Sequence, residues 1–311
     1  MEGNLDKIGE MLKDLARGKL DDISSFISPV VKHQYNDNKV DCYHLKVDAN
    51  GRPRLTELIK YMSLKITDYA IPRSKVQAAL SKLAQTGSTE EFTRLTLEAR
   101  KLFTKLEQSG EGGELLLFAL TESILKYPQI LCKMNLKTDE QVHFHGADGV
   151  FLGVDDDGML SVFWGESKLH ADHSSALAEC VESIASILKM ESEIDSDIRL
   201  IDFIDLDNEQ LEKAIKEYFD FNSPNYDKLK SCAVCLVGFD HVSYKFDPVK
   251  KLTNEDLKAK VEHSFNTHWK KNLERKLAEN NIQFCKVIFF YLPVQSVDNF
   301  RSTFRKELGL A

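Results

Sequence analysis

The chain has little that would mark a secreted or membrane-bound protein. Its six cysteines (Cys42, Cys132, Cys180, Cys232, Cys235 and Cys285) are scattered over 311 residues, far from the density of a disulfide framework. Reduced thiols are expected. Cys232 and Cys235 make a single CxxC, but no second pair completes a zinc site, and their odd offset sends them to opposite faces of a strand. No apolar run is long enough to span a bilayer, and Asp6, Lys7, Glu10, Lys13 and Asp14 interrupt the first twenty residues, so neither a membrane partner nor a secretory segment is expected. A cytoplasmic protein is the expectation. An excess of positive charge is missing too: the net charge of −8 argues against a surface coated for nucleic acid. The imbalance is local. Glu191 to Lys228 holds twelve acidic and four basic residues, which leaves the rest of the chain neutral and a local basic surface open.

What is present is enough apolar material, 42% of residues, for a sizeable core. Helical spacing is read over Asn4 to Leu15, Leu55 to Ile66 and Ser74 to Ala84, and Ser88 with Glu91 matches a capping box opening a helix to about Leu106. The region between the first two is read as a polar stretch ending in an extended segment at Tyr43 to Val47. Residues 1–109 are thus expected to form a mostly helical lobe that docks a partner or frames DNA. From residue 110 the pattern changes. Glu114 to Leu120 is apolar nearly all round, hence a buried helix. A short strand at Ile130 to Leu136 precedes two stronger ones, Val142 to Val154 and Met159 to Leu169, joined by the turn signal Asp155-Asp156-Asp157-Gly158. A helix over Ser174 to Met190, the acidic segment 191–228, a buried strand at Ala233 to Phe239, a helix from Asn254 to Glu279 and a strand at Phe284 to Leu292 follow. Strands apolar on both faces and separated by helices imply an α/β core covered on each side, over residues 110–311.

The chemistry concentrates in His145-Gly146-Ala147-Asp148-Gly149 and Trp164-Gly165-Glu166-Ser167-Lys168-Leu169. Along a strand Glu166 and Lys168 share one face. A hairpin closing about Asp157 sets Asp148 opposite Glu166, whereas a two-residue turn at Asp156-Asp157 would set Gly165 there and turn Glu166 away. In the first register, two carboxylates and the main-chain carbonyl of Ser167 offer hard oxygen ligands suited to Mg²⁺, with Mn²⁺ as an alternative. The ion would polarise a scissile phosphate, and Lys168 would supply charge beside the attacking water. Hydrolysis of DNA phosphodiesters is the reaction expected. Glu274-Arg275-Lys276 repeats the triplet inside a helix, where positions two apart diverge, and is read as a solvated face.

These residues resemble the active site of the PD-(D/E)xK superfamily, which implies a restriction-endonuclease-like core and an acidic helical partner that Glu114 would match. Glu114 has a plainer reading as a helix-start residue facing the dipole. Ala147 departs from the pattern by standing where the superfamily often has proline. More narrowly, Lys133-Met134-Asn135-Leu136-Lys137-Thr138, the two motifs above and Asp68-Tyr69-Ala70-Ile71-Pro72-Arg73 are similar to the HamA family, nuclease subunits of the Hachiman anti-phage defence system. The resemblance implies a HamB-like ATP-dependent helicase partner and DNA as substrate. A reading from another class is a nuclease-fold subunit that binds helicase or DNA without cutting.

Other signals are weaker. His143, His145, His170 and His173 suggest zinc, but the hairpin register puts the first two on the other face of the strand from Asp148, whereas His170 follows Glu166 and Lys168, and they are read as polar strand-end residues with His170 bordering the pocket. The Asp155 to Gly158 run lacks the spaced ligands of a calcium loop and is read as a solvated turn. Trp269, Lys270, Lys271, Arg275 and Lys276 lie on one helix and would grip phosphates and stack on a base, against the plainer reading of a solvated face. The acidic segment is exposed chain or a shield that docks on a basic partner.

Overall fold

In a computed structural model, the structure describes residues 2–104, 106, 109–136, 147–189, 204–245 and 251–310. The strands are β1 (Ile27–Tyr35), β2 (Asn38–Leu45), β3 (Gly149–Val154), β4 (Leu160–His170), β5 (Lys230–Asp240) and β6 (Val287–Val294). They form one mixed sheet in the order β1-β2-β6-β5-β4-β3. The pairs β4/β5, β5/β6 and β2/β6 are parallel, and the terminal hairpins β1/β2 and β3/β4 are antiparallel.

The central strands are apolar on both faces because both are covered. Along β5, Cys232, Val234 and Leu236 enter one core, and Ala233, Cys235 and Val237 enter the other. The two cysteines of the CxxC therefore do lie on opposite faces, and all six are free thiols. One face is packed by α1 (Glu2–Leu15), α9 (His173–Lys189), α10 (Glu209–Phe219), α11 (Asn254–Ser264) and α12 (Lys270–Glu279). The other carries α2 (Leu20–Ser24), α3 (Leu55–Ser63), α4 (Ile66–Ala70), α5 (Arg73–Thr86), α6 (Glu90–Lys101), α7 (Glu111–Leu120), α8 (Lys133–Leu136) and α13 (Val297–Glu307). The architecture is α/β with helices flanking a central mixed sheet, as the restriction-endonuclease-like reading expects. No helix among the described residues is long and apolar enough to cross a membrane.

Several local expectations are corrected. The stretch read as polar before Tyr43 contains β1, which turns at Asn36, in the left-handed region, into β2. This hairpin extends the sheet beyond β6, so the first third of the chain contributes strands as well as helices. The strand expected at Ile130 to Leu136 is a single bridge, Gln129 to Phe151, followed by the four-residue α8. At α6 there is no reciprocal capping box: Glu91 binds Lys82 and Arg94 instead.

The turn between β3 and β4 is not simply solvated. Asp155 is buried, its Oδ1 accepts the N–H of Asp157 and of Met159, and its Oδ2 lies 3.2 Å from both Lys230 and Lys286. Gly158, at φ +73°, completes the loop in a conformation that favours glycine. The odd loop fixes the ladder Gly149↔Gly165 through Val154↔Leu160, the register of a hairpin closing about Asp157. The first part of the expected strand, with His143 and His145, lies outside the described residues, as does 191–203 of the acidic segment.

Candidate active site

β4 runs past the end of β3, and its last residues carry the site. Glu166 and Lys168 project from the same side of β4, and Glu166 Oε1 meets Lys168 Nζ at 2.7 Å. Asp148, one residue beyond the ladder, donates its N–H to Gly165 O at 2.7 Å. Its carboxylate turns toward Ser167: Oδ2 accepts both the main-chain N–H and the hydroxyl, each at 2.8 Å. Oδ1 faces Lys133 Nζ of α8 at 3.5 Å.

Behind the strand stands α9, whose Cys180 thiol lies 3.8 Å from Glu166 O. This packing leaves Glu166 only 2% exposed. Burial pushes its carboxyl up to about 7, the charge of Asp148 adds to the effect, and Lys168 with a smaller help from Ser183 opposes it. Burial acts against the charge of Lys168, but the hydrogen bond and charge of Glu166, joined by Asp148, outweigh it and hold the ammonium above its ordinary value. Asp148 thus acts electrostatically on both other members of the triad. Glu166 Oε2 is buried and has no hydrogen-bond partner among the described residues.

Glu114 takes a different position. It sits in the first turn of α7, where its Oε2 accepts the hydroxyl of the buried Tyr69 at 2.9 Å. Burial raises the Tyr69 hydroxyl well above its ordinary value, with the charges of Glu114 and Asp148 adding to it, so the tyrosine lies within the field of both acids. α7 approaches β4 closely enough to require Gly113: a Cβ there would stand 2.5 Å from Leu169 Cδ1 and 3.2 Å from Ser167 Oγ.

Two features of this arrangement suit a hard divalent cation, namely two carboxylates within each other's electrostatic influence and a buried Glu166 oxygen with no hydrogen-bond partner among the described residues. Mg²⁺ keeps several waters, so two carboxylates and a main-chain carbonyl are an adequate protein donor set. Among the described residues no three His, Cys, Asp or Glu side chains are grouped to hold a metal ion.

Beside Lys168 opens a cleft of about 390 Å³, bounded by the start of α7, by Lys168 to His170, by Glu179 and by Arg301 and Arg305 of α13. Arg301 reaches across to Leu169 O at 2.8 Å, and His170 pairs with Glu179 at 2.9 Å. His170 therefore does border the pocket. His173 does not: it is buried against Phe239, Trp269 and Tyr291, and burial lowers its imidazole to about 4. It is a core residue rather than a polar strand-end histidine.

Trp269 is likewise unavailable for stacking on a base. It is 6% exposed, lies face to face with His173 at 5.3 Å and edge-on to Phe239 and His241. Of its basic neighbours, Arg275 and Lys276 are paired with Glu279, and Lys270 and Lys271 lie on the outer side of the same helix. The signal was present in the sequence, since Leu257, Val261, Phe265, Trp269, Leu273 and Leu277 follow at four-residue steps and all are buried. Sequence reasoning missed Lys133 and Tyr69 as site neighbours, although both fall inside motifs it singled out. The pairing of Lys133 with Asp148 crosses a segment without periodicity, and no pattern announces it.

Comparison with curated proteins finds no match. A family model, HamA, matches residues 21–308 of the 311. That span takes in the whole sheet, α7 and every side chain of the site just described, and the chain belongs to the HamA family.

Proposed function

We propose that this chain is a Mg²⁺-dependent deoxyribonuclease, the DNA-cleaving subunit of a defence complex with a HamB-like ATP-dependent helicase. HamA family membership supplies the setting, a role in Hachiman anti-phage defence. The observation that carries the catalytic reading is the Glu166–Lys168 pair. A carboxyl group driven up to about 7 by burial and by Asp148 sits 2.7 Å from the ammonium of Lys168, and it is Lys168 that lines the cleft.

Asp148, Glu166 and the main-chain carbonyl of Ser167 are the groups that would hold the ion, with Glu114, which accepts the Tyr69 hydroxyl, as the candidate further ligand. When bound, Mg²⁺ supplies Lewis-acid polarisation of the phosphodiester and a lowered pKa for the attacking water. Ser167 fixes Asp148 through two hydrogen bonds, so the carboxylate is oriented before substrate arrives. Glu166 holds the Lys168 ammonium at the edge of the cleft, where its point charge faces the negative charge that develops on phosphate oxygens. Arg301 and Arg305 on the opposite wall suit the flanking phosphates of a DNA strand.

The test is plasmid degradation with Mg²⁺ and the helicase, comparing wild type with Glu166→Ala and Lys168→Ala. Cleavage by wild type that both variants lose supports the reading; equal cleavage by all three rejects it. A second reading, a non-cutting subunit of the same fold, draws on the lack, among the described residues, of a third acidic side chain grouped with these two. Wild type that binds helicase or DNA yet leaves the plasmid intact in Mg²⁺ and in Mn²⁺ would favour it.

A further inference from the structure

The two carboxylates of the site are not held alike. Glu166 is tied through Oε1 to Lys168 on its own strand, and its Oε2 has no hydrogen-bond partner among the described residues. Asp148 is engaged at both oxygens, Oδ2 by Ser167 and Oδ1 by Lys133. The Ser167 bonds are neutral dipoles that leave acceptor capacity on Oδ2. Lys133 is different because it brings a full positive charge to the oxygen that faces away from Ser167. Its ammonium comes from another part of the chain, on the short α8, and the two side chains are 25% and 13% exposed.

We infer that Lys133 is a built-in counter-ion of Asp148, holding Oδ1 when the site is free of metal and competing with a divalent cation for that carboxylate. The inference rests on the metal-site reading above and deepens it. An ammonium beside a carboxylate oxygen opposes a divalent ion on the same group, as Lys168 does at Glu166, so the ion binds Asp148 more tightly once Lys133 withdraws. The fold permits this. Met134, wholly buried, anchors α8, while Lys133 is carried on a flexible four-carbon stem beside it. Withdrawal then needs rotation of a side chain and no rearrangement of the helix. The consequence is a raised threshold of free divalent ion for occupancy of the site.

The experiment is Mn²⁺ binding to the full-length chain without DNA, followed by the electron paramagnetic resonance of the free ion. Wild type, Lys133→Met, Lys133→Arg and Asp148→Asn are compared, with thermal melting to show that each is folded. Removing a unit positive charge a few ångströms from a divalent ion should tighten binding about tenfold in Lys133→Met. Lys133→Arg, which keeps the charge, should stay close to wild type, and Asp148→Asn should bind far more weakly. If Lys133→Met binds no tighter than wild type while Asp148→Asn loses binding, the counter-ion role is overturned and the metal site stands. If Asp148→Asn binds Mn²⁺ as wild type does, the metal-site reading fails and this inference falls with it.

Discussion

Glu166→Gln in metal-free protein isolates the electrostatic burden that the site places on the fold. Glu166 is 2% exposed, and its carboxyl rises from 4.5 to about 7, first through burial and second through Asp148. In the unfolded chain the group gives up its proton at the ordinary value. Between 4.5 and about 7 the folded state therefore binds more protons than the unfolded state, and stability from this group falls as pH rises. The contribution is fully present below 4.5, is lost progressively up to about 7 and is level above. At about 1.4 kcal/mol per factor of ten, the loss comes to roughly 3 kcal/mol. Glutamine cannot ionise and lacks the slope. Removing the partner of Lys168 takes away the hydrogen bond and charge that hold the ammonium above its ordinary value and so sets the level of the variant's curve, while the slope between 4.5 and about 7 belongs to the carboxyl. Urea unfolding of both proteins from pH 4 to 8.5 in EDTA reads the effect directly: the stability of Glu166→Gln relative to wild type should climb by about 3 kcal/mol across the window. A difference that is flat to within about 0.5 kcal/mol, or that declines with pH, refutes the reasoning.

Three further outcomes follow from the packing. Asp155→Ala should cost about 3 kcal/mol in urea unfolding, since it removes the acceptor of two turn N–H groups and strands Lys230 and Lys286 without their shared carboxylate; a loss below about 1 kcal/mol would show the cluster to be incidental. Trp269→Ala should cost about 3 to 5 kcal/mol by emptying the centre of an aromatic cluster, with DNA affinity of the folded fraction unchanged in gel-shift titrations, and a selective loss of DNA binding would restore the stacking reading. Tyr69→Phe should lower stability by about 1 kcal/mol through the lost hydrogen bond to Glu114, visible in thermal melts, and should reduce plasmid cleavage less than Glu166→Ala does.

The parts of the fold that sequence conveys well are those set by local chemistry. β5 and β6 announce themselves as apolar runs flanked by helices, and Gly158 with its three preceding aspartates fixes an odd hairpin loop. That loop alone aligns Gly149 with Gly165 and so places Asp148 at the end of Glu166's strand. β1 escapes because it is an edge strand. Its outward residues are polar, and Pro29 sits at the register shift between Pro29 and Val31, so the period-two signal is broken where a reader would look for it. Asp155 is misread for another reason: its lysines come from the starts of β5 and β6, and only the parallel crossovers bring them back beneath the turn. The site divides along the same line. Glu166 and Lys168 are neighbours on one strand, whereas Lys133 and Tyr69 reach it from helices whose docking no spacing encodes.

Asp155 and Glu166 show why burial of an acid is not by itself a mark of function. Asp155 meets two backbone N–H groups and two lysines. Its burial acts to raise the carboxyl, but the bond to Met159 and the contacts with Lys286 and Lys230 prevail, and the group is held below its ordinary value. Each of its oxygens is satisfied, so its ionised form stabilises the fold above the ordinary carboxylate range and is lost on acidification. Glu166, equally hidden, has one lysine, a smaller help from Ser183 and a second acid nearby, and it is held above its ordinary value. The first pattern is that of a structural staple, the second of a group kept poised at a cost in stability, which is the usual condition of catalytic acids. The two mutations therefore separate in the sign of their pH dependence: relative to wild type, the stability of Asp155→Asn should fall as pH rises through the carboxylate range and that of Glu166→Gln should rise between 4.5 and about 7, and parallel slopes for both would remove the physical ground for distinguishing the two carboxylates.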